Sequence, residues 1–335
     1  MNKKTLRQTY DRNADLVKLI ALFILSVIVL IVLTGGRFLS GNQLGLIAYL
    51  FPEMGMMSLG MMLAMISGGI DLTVVAVADL AGIVSCLLLK QIMPAEASMA
   101  VQILVLLVVL LCAMAVGALC GLFSGTLIAR MGIPPMVATL GASDVILGIA
   151  VGITKGFSIK ELPTILNAVT SAKLFGAIPV TTIIYLISSA VIAFILYKTG
   201  LGFKIYMLGS NATASKFSAI DNIKITTITY ILSGVLSSIS GLLMCGHFNS
   251  ARSDFGSSYL TPAILICVLG GINPNGGRGK VSGMIAAVII LQTLSSGFSL
   301  FPTISDYYKN LIWGVVLIAI MIINVTSERR KLKKS

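Results

Sequence analysis

Between Ala97 and Ala129 the chain has no charged residue, and almost every side chain there is apolar. At about 1.5 Å per residue, a helix over that stretch exceeds the roughly 30 Å hydrocarbon core of a bilayer. A soluble domain has no use for so long an uninterrupted apolar helix. Further apolar runs follow one another along the 335 residues, of which 57% are hydrophobic and only 11% charged. The polar stretches near 155–175 and 199–224 are too short to bury cores of their own. The expectation is an all-α polytopic membrane protein, with residues 1–335 forming a single transmembrane domain.

Hydropathy divides the chain into about ten crossings: 16–34, 44–67, 72–90, 98–129, 135–153, 178–198, 225–247, 260–272, 281–300 and 308–325. The first of these follows basic residues but lacks a small-x-small cleavage site, so it reads as an uncleaved helix. The fourth is long enough to tilt. The eighth is short and reads as partly re-entrant, an arrangement that requires protein or a water-filled cavity to cover its backbone. With the N-terminus inside, most of the 24 basic residues fall inside as well, among them Lys3, Arg130, Lys198, Lys204, Lys224, Arg278 and Arg330. The outside set is small: Arg37, Lys90, Lys155, Lys160, Lys173, Arg252 and Lys309. That bias places both termini in the cytoplasm. The net charge of +12 therefore points to anionic lipid headgroups and away from nucleic acid.

Five cysteines, Cys86, Cys112, Cys120, Cys245 and Cys267, lie in apolar stretches without metal or disulfide spacing. His247 stands at a segment end with no nearby His or Cys. No metal site is expected, and no nucleophile–base set or HExxH motif marks an enzyme.

Glycine and proline cluster at three breaks. In Gly68-Gly69-Ile70-Asp71-Leu72-Thr73, two glycines end one apolar run and Asp71 stands where a helix cap belongs. A carboxylate near hydrocarbon is costly, so Asp71 is also a candidate for the substrate path, together with Gly68, Gly69 and Thr73. Arg130 to Pro135 forms a tight reversal. It is followed by Ala138-Thr139-Leu140-Gly141, with Thr139 and Asp144 as further path candidates; Asp79 is a third acid within an apolar run. The third break, Gly270 to Lys280, includes Gly276, Gly277 and Arg278. It fails as a phosphate loop, because Pro274 replaces the first glycine and Val281 follows Lys280 where Ser or Thr is needed. It reads as a flexible cytoplasmic turn. Gly117, Gly121 and Gly125 form a GxxxGxxxG run suited to close helix packing.

Segment 199–224 is the most informative polar stretch. After Gly209, a cap at Ser210 or Asn211 opens a short helix, with Phe217 and Ile220 on one face. So short a helix is not stable by itself and reads equally as a protein-docking element or a lipid-surface loop.

Taken in order, these motifs resemble those of the permease subunits of ribose-type ATP-binding-cassette importers, which carry monosaccharides, autoinducer-2 and, in related branches, nucleosides. Gly68 to Thr73 is similar to that family's GGIDLS, and Gly132 to Gly141 to its IPPFIATLG. Gly202 to Ile220 is similar to its cytoplasmic GRxIYAIGGNxxAAxLSGI segment, and Gly270 to Gly279 to its GGTSLxGGRGSVxG. The resemblance covers about residues 45–325.

The resemblance implies a vitamin-B12-importer-like bundle and a multi-pass place in the bacterial cytoplasmic membrane. It also implies a permease that moves a small polar solute, a monosaccharide or related sugar, by alternating access. Its implied partners are an ATPase subunit, an extracytoplasmic solute-binding protein and a second permease subunit. ATP and magnesium would sit in the ATPase, with no cofactor in this chain. Gly209, Asn211, Ala214, Ser215 and Phe217 would form the surface that docks on the ATPase. Val75, Asp79, Leu147, Ser210 and Ala219 depart from the family pattern. The alternative from the residues alone is an ion-coupled secondary transporter that uses Asp71, Asp79 and Asp144 as charge carriers.

Overall fold

The computed structural model describes residues 19–21, 23–94, 96–174, 176–301 and 306–332, with side chains of the last stretch described for 308–322. Lys3, Lys4, Arg7, Arg12, Lys18, Lys333 and Lys334, on which part of the orientation rests, lie outside the described residues. Each of the ten expected segments falls on a helix. The helices are α1 (Leu19–Thr34), α2 (Gly41–Ile66), α3 (Val74–Ile92), α4 (Met99–Ala129), α5 (Pro135–Thr154), α6 (Thr164–Ser171), α7 (Val180–Lys198), α8 (Gly200–Ser210), α9 (Ala212–Phe217), α10 (Asn222–Phe248), α11 (Leu260–Leu269), α12 (Val281–Phe298) and α13 (Asp306–Leu332). Among the described residues, seven of these are long and apolar enough to cross a membrane, and α1, α11 and α13 add shorter apolar stretches. A two-residue antiparallel hairpin, β1 (Lys173–Leu174) with β2 (Ile178–Pro179), is a small addition to the expected all-helical chain.

Helix α10 is the centre of the bundle and packs against α2, α3 and α4. The expected glycine run explains how α4 approaches it. Gly121 rests on the Tyr230 carbonyl and Gly117 on that of Gly234, while Gly125 lies against Thr227. Any side chain at the first two positions would overlap backbone, so the helices meet main chain to main chain. The outward face of α4, with Leu104, Leu107, Leu111 and Leu119 exposed, suits lipid.

Helix α2 carries Pro52 in its interior, which deprives the Ala48 carbonyl of its helical donor. The Thr182 hydroxyl on α7 donates to that carbonyl at 2.5 Å, and Thr181 donates to the next one, Tyr49, at 3.1 Å. In hydrocarbon such replacement is obligatory, because water is not there to do it. Below the proline the helix is rich in methionine: Met56, Met57, Met61, Met62 and Met65 are fully buried, a residue type suited to irregular packing against the helices around α2, chiefly α7, α10, α11 and α12.

The eighth expected span, 260–272, is shorter than predicted. Helix α11 has 10 residues, about 15 Å or half the hydrocarbon thickness. It is preceded by a 3₁₀ turn, Phe255–Tyr259. The irregular chain between α10 and this turn is covered by protein: Ala251 bridges to Ile159, and the Gly256 amide donates to Asp79 Oδ1 at 3.0 Å.

Candidate functional site

The four motif regions, far apart in sequence, meet around the turn 66–73. The turn forms because Gly68 takes φ +94, a conformation that L side chains rarely adopt, and so reverses the chain after α2. Asp71 is 1% exposed. Its Oδ1 accepts from the Thr73 amide at 3.0 Å and from the Thr73 hydroxyl at 2.5 Å, and its Oδ2 accepts from Ser233 of α10 at 2.7 Å. Asp71 is therefore not the cap of α3, which begins at Val74 with Thr73 in the cap position. It stands two residues earlier and ties the turn to α10.

Thr139 of α5 is buried, its hydroxyl 3.0 Å from the Ile70 carbonyl and 2.9 Å from that of Pro135. Gly69 faces Pro135 and the Tyr230 hydroxyl, so closely that a Cβ would lie 2.5 Å from that oxygen. Gly68, Gly69, Asp71, Thr73 and Thr139 thus form one cluster, joined by Ser233 and Tyr230. Sequence reasoning missed these last two, since a serine and a tyrosine in an apolar helix carry no signal of their own.

Asp79 and Asp144 lie elsewhere. Asp79 accepts from the Gly256 amide and holds the entry to the 3₁₀ turn. Asp144 is exposed on α5. The three acids do not share a site. A fourth, Glu53, is fully buried in α2, with His247 Nδ1 3.2 Å from its Oε1 and the Tyr259 hydroxyl donating to its Oε2 at 3.3 Å. Sequence reading singles out the three aspartates and passes over Glu53, although an acid inside an apolar run is the same signal.

At the other side of the turn, segment 199–224 folds into α8 and α9. Asn211 is the cap of α9, its Oδ1 accepting from Thr213 and Ala214 amides at 3.0 Å each. Ser215 is buried and donates to Asn222 Oδ1 at 2.9 Å, while Asn222 Nδ2 donates to the Ala212 carbonyl at 2.8 Å. Helix α9 is thereby fixed to the start of α10. Phe217 is 88% exposed, but Ile220 is buried. The expected shared face is corrected: α9 ends at Phe217 and the chain reverses through Ala219 at φ +58. Of the five expected docking residues, Asn211, Ala214 and Phe217 face outward. Ser215 points inward, and Gly209 is pressed on the Ile66 carbonyl.

The turn 270–280 is ordered by bonds to its neighbours. The Gly277 amide donates to the Ile66 carbonyl at 2.9 Å, and the Asn273 amide to that of Arg278 at 3.0 Å. The Tyr206 hydroxyl of α8 donates to the Gly279 carbonyl at 2.7 Å. Burial and the adjacent Tyr197 push the Tyr206 phenol up from its ordinary value, so it remains a neutral donor. Tyr197 of α7 accepts from the Val281 amide at 2.8 Å. Arg278 and Lys280 are exposed, as are Lys198, Lys204, Lys216 and Lys224 at the same end of the bundle.

Residues 43–321 match the family described as branched-chain amino acid transport system, permease component. A relative in Yersinia pestis (strain Pestoides F), an autoinducer 2 import system permease protein, is 30% identical over 96% of this chain and 95% of its own. The protein of the same name in Yersinia enterocolitica is 29% identical over 90% of this chain and 88% of its own. No solved structure matches the chain.

Proposed function

The chain belongs to the permease-component family of the branched-chain amino acid transport type and is a multi-pass membrane subunit of an ATP-binding-cassette importer; from that premise we propose how it works and what it carries. The solute is a small, polar, sugar-like molecule. Autoinducer 2 is the first to test, because the Yersinia relatives are named for its import. The chain crosses the membrane ten times, α11 doing so together with the 3₁₀ turn before it, with both ends in the cytoplasm, and its α8–α9 end is cytoplasmic. The exposed basic residues at that end support this orientation.

One observation carries the mechanism: α9 is capped, bolted to α10, and yet leaves Phe217 88% exposed. A rigid apolar anchor on a short helix fits a groove in another protein. That partner is the ATPase subunit, which binds ATP and magnesium; Asn211, Ala214 and Phe217 face it. A second permease, identical or homologous, covers the α5 face that carries Asp144, because a carboxylate exposed to lipid is expensive. An extracytoplasmic binding protein delivers the solute to the hairpin end. ATP-driven closure of the ATPase pair moves α9, and the paired bundles rock to expose the central path to each side in turn. No ion coupling is needed, and Asp71 and Asp79 serve to hold turns in place.

Phe217→Asp is expected to release the ATPase from the purified complex while the permease stays folded. Normal co-purification would remove the docking assignment. Solute uptake by vesicles containing this chain alone would overturn the whole account.

A further inference from the structure

We infer that the loop 270–280 is a transmission element that carries movement of α8 to the turn 66–73, with Tyr206 and Tyr197 as its positioning residues. This rests on the coupling role proposed for segment 199–224 and goes beyond it by naming the route inside the chain.

Three backbones meet at one place. Gly68 is in van der Waals contact with α8: a Cβ there would be 3.6 Å from Gly209 Cα. Gly276 is inserted beside both, at φ +94, where a Cβ would sit 2.6 Å from the Gly209 carbonyl oxygen and 2.8 Å from Gly68 Cα. The neighbouring Gly277 is against Ser210, and its amide is bonded to the Ile66 carbonyl. Contacts of this kind have no rotamers to absorb a displacement, and close-packed interiors pass strain on.

The loop is also tied from behind. Tyr206, on the helix that leads to α9, bonds the Gly279 carbonyl. Tyr197, at the end of the preceding span, bonds the Val281 amide where α12 begins. A shift of α8 therefore moves the loop, and the loop bears on the end of α2 and the turn that holds Asp71 and Ile70. Through Ile70 the movement reaches Thr139 and α5. A flexible turn would have neither set of bonds.

The test uses the whole complex of this chain with its ATPase in lipid discs. The five native cysteines are replaced, and a reporter, Phe157→Cys, is placed at an exposed position just beyond the C-terminal end of α5. In the unaltered background, adding magnesium-ATP changes the rate at which a water-soluble maleimide labels the reporter. Tyr206→Phe removes one hydroxyl and no packing volume. It is expected to leave ATPase co-purification, ATP hydrolysis and melting temperature unchanged, and to shrink the ATP-dependent labelling change about fivefold. Tyr197→Phe combined with Tyr206→Phe is expected to abolish it. A full labelling response in the double variant overturns the inference, and so does loss of the ATPase from Tyr206→Phe, which would reduce the bond to support of the docking surface. Failure of the unaltered chain to retain the ATPase is a separate result, visible before any variant is made. It removes the coupling role and the route together.

Discussion

Two glycine-and-aspartate regions of this chain share a residue vocabulary and differ in almost everything else. Around the turn 66–73, Gly68 touches the backbone of α8, Gly69 is pressed on the Tyr230 and Pro135 side chains, and Asp71 is enclosed by three donors. Along α5, Gly141, Gly148 and Gly152 have nothing near them and Asp144 is exposed. Small residues permit close approach, but they do not say to what. The first region spends that permission within the chain. The second holds it open for something outside, which we propose to be a second permease.

Four substitutions bear on this contrast. Gly209→Ala has the largest expected effect, because its Cβ overlaps the Ile66 carbonyl and backbone must move. A cost of about 3 kcal/mol, the upper end for overpacking, is expected as a clear fall in melting temperature and membrane abundance. Ser233→Ala leaves Asp71 Oδ2 without its donor and is expected to cost about 2 kcal/mol, read in the same melts. Asp71→Asn in the same background should recover part of that loss by removing the charge. Gly148→Leu is expected to change the stability of the separate chain by no more than about 0.5 kcal/mol, leaving its melt almost unmoved while lowering the yield of cross-linked permease pairs. If Gly148→Leu melts the chain as far as Gly209→Ala does, α5 is packed within the subunit and the contrast is lost.

Local properties were readable from sequence. Hydropathy placed each of the ten expected segments on a helix but gave no sign of the short α6, because burial in lipid depends on composition over a window. The cap of α9 could be narrowed to Ser210 or Asn211, because capping uses amides two and three residues on; the structure selects Asn211. Pairings across the chain were not readable. Glu53, His247 and Tyr259 lie on three separate segments and share no period. Gly209 was expected to face the ATPase and faces Ile66, since a glycine marks a tight contact without naming its partner. A helix continued past Phe217 places Ile220 on the same face, and the left-handed Ala219 ends that continuation. The run 260–272, readable as short and partly re-entrant, is helical only over Leu260–Leu269, and its shortness could be seen where the 3₁₀ turn before it could not.

The length of α4 has one more effect. Its 31 residues make about 46 Å of helix, well beyond the oily slab that it must fit, so it leans. A thicker bilayer would stand it more upright. Since Gly117 and Gly121 leave no cushion between α4 and α10, α10 would be dragged along, and Ser233 with it. A change in lipid thickness that altered this lean would in that way reach the carboxylate that Ser233 holds.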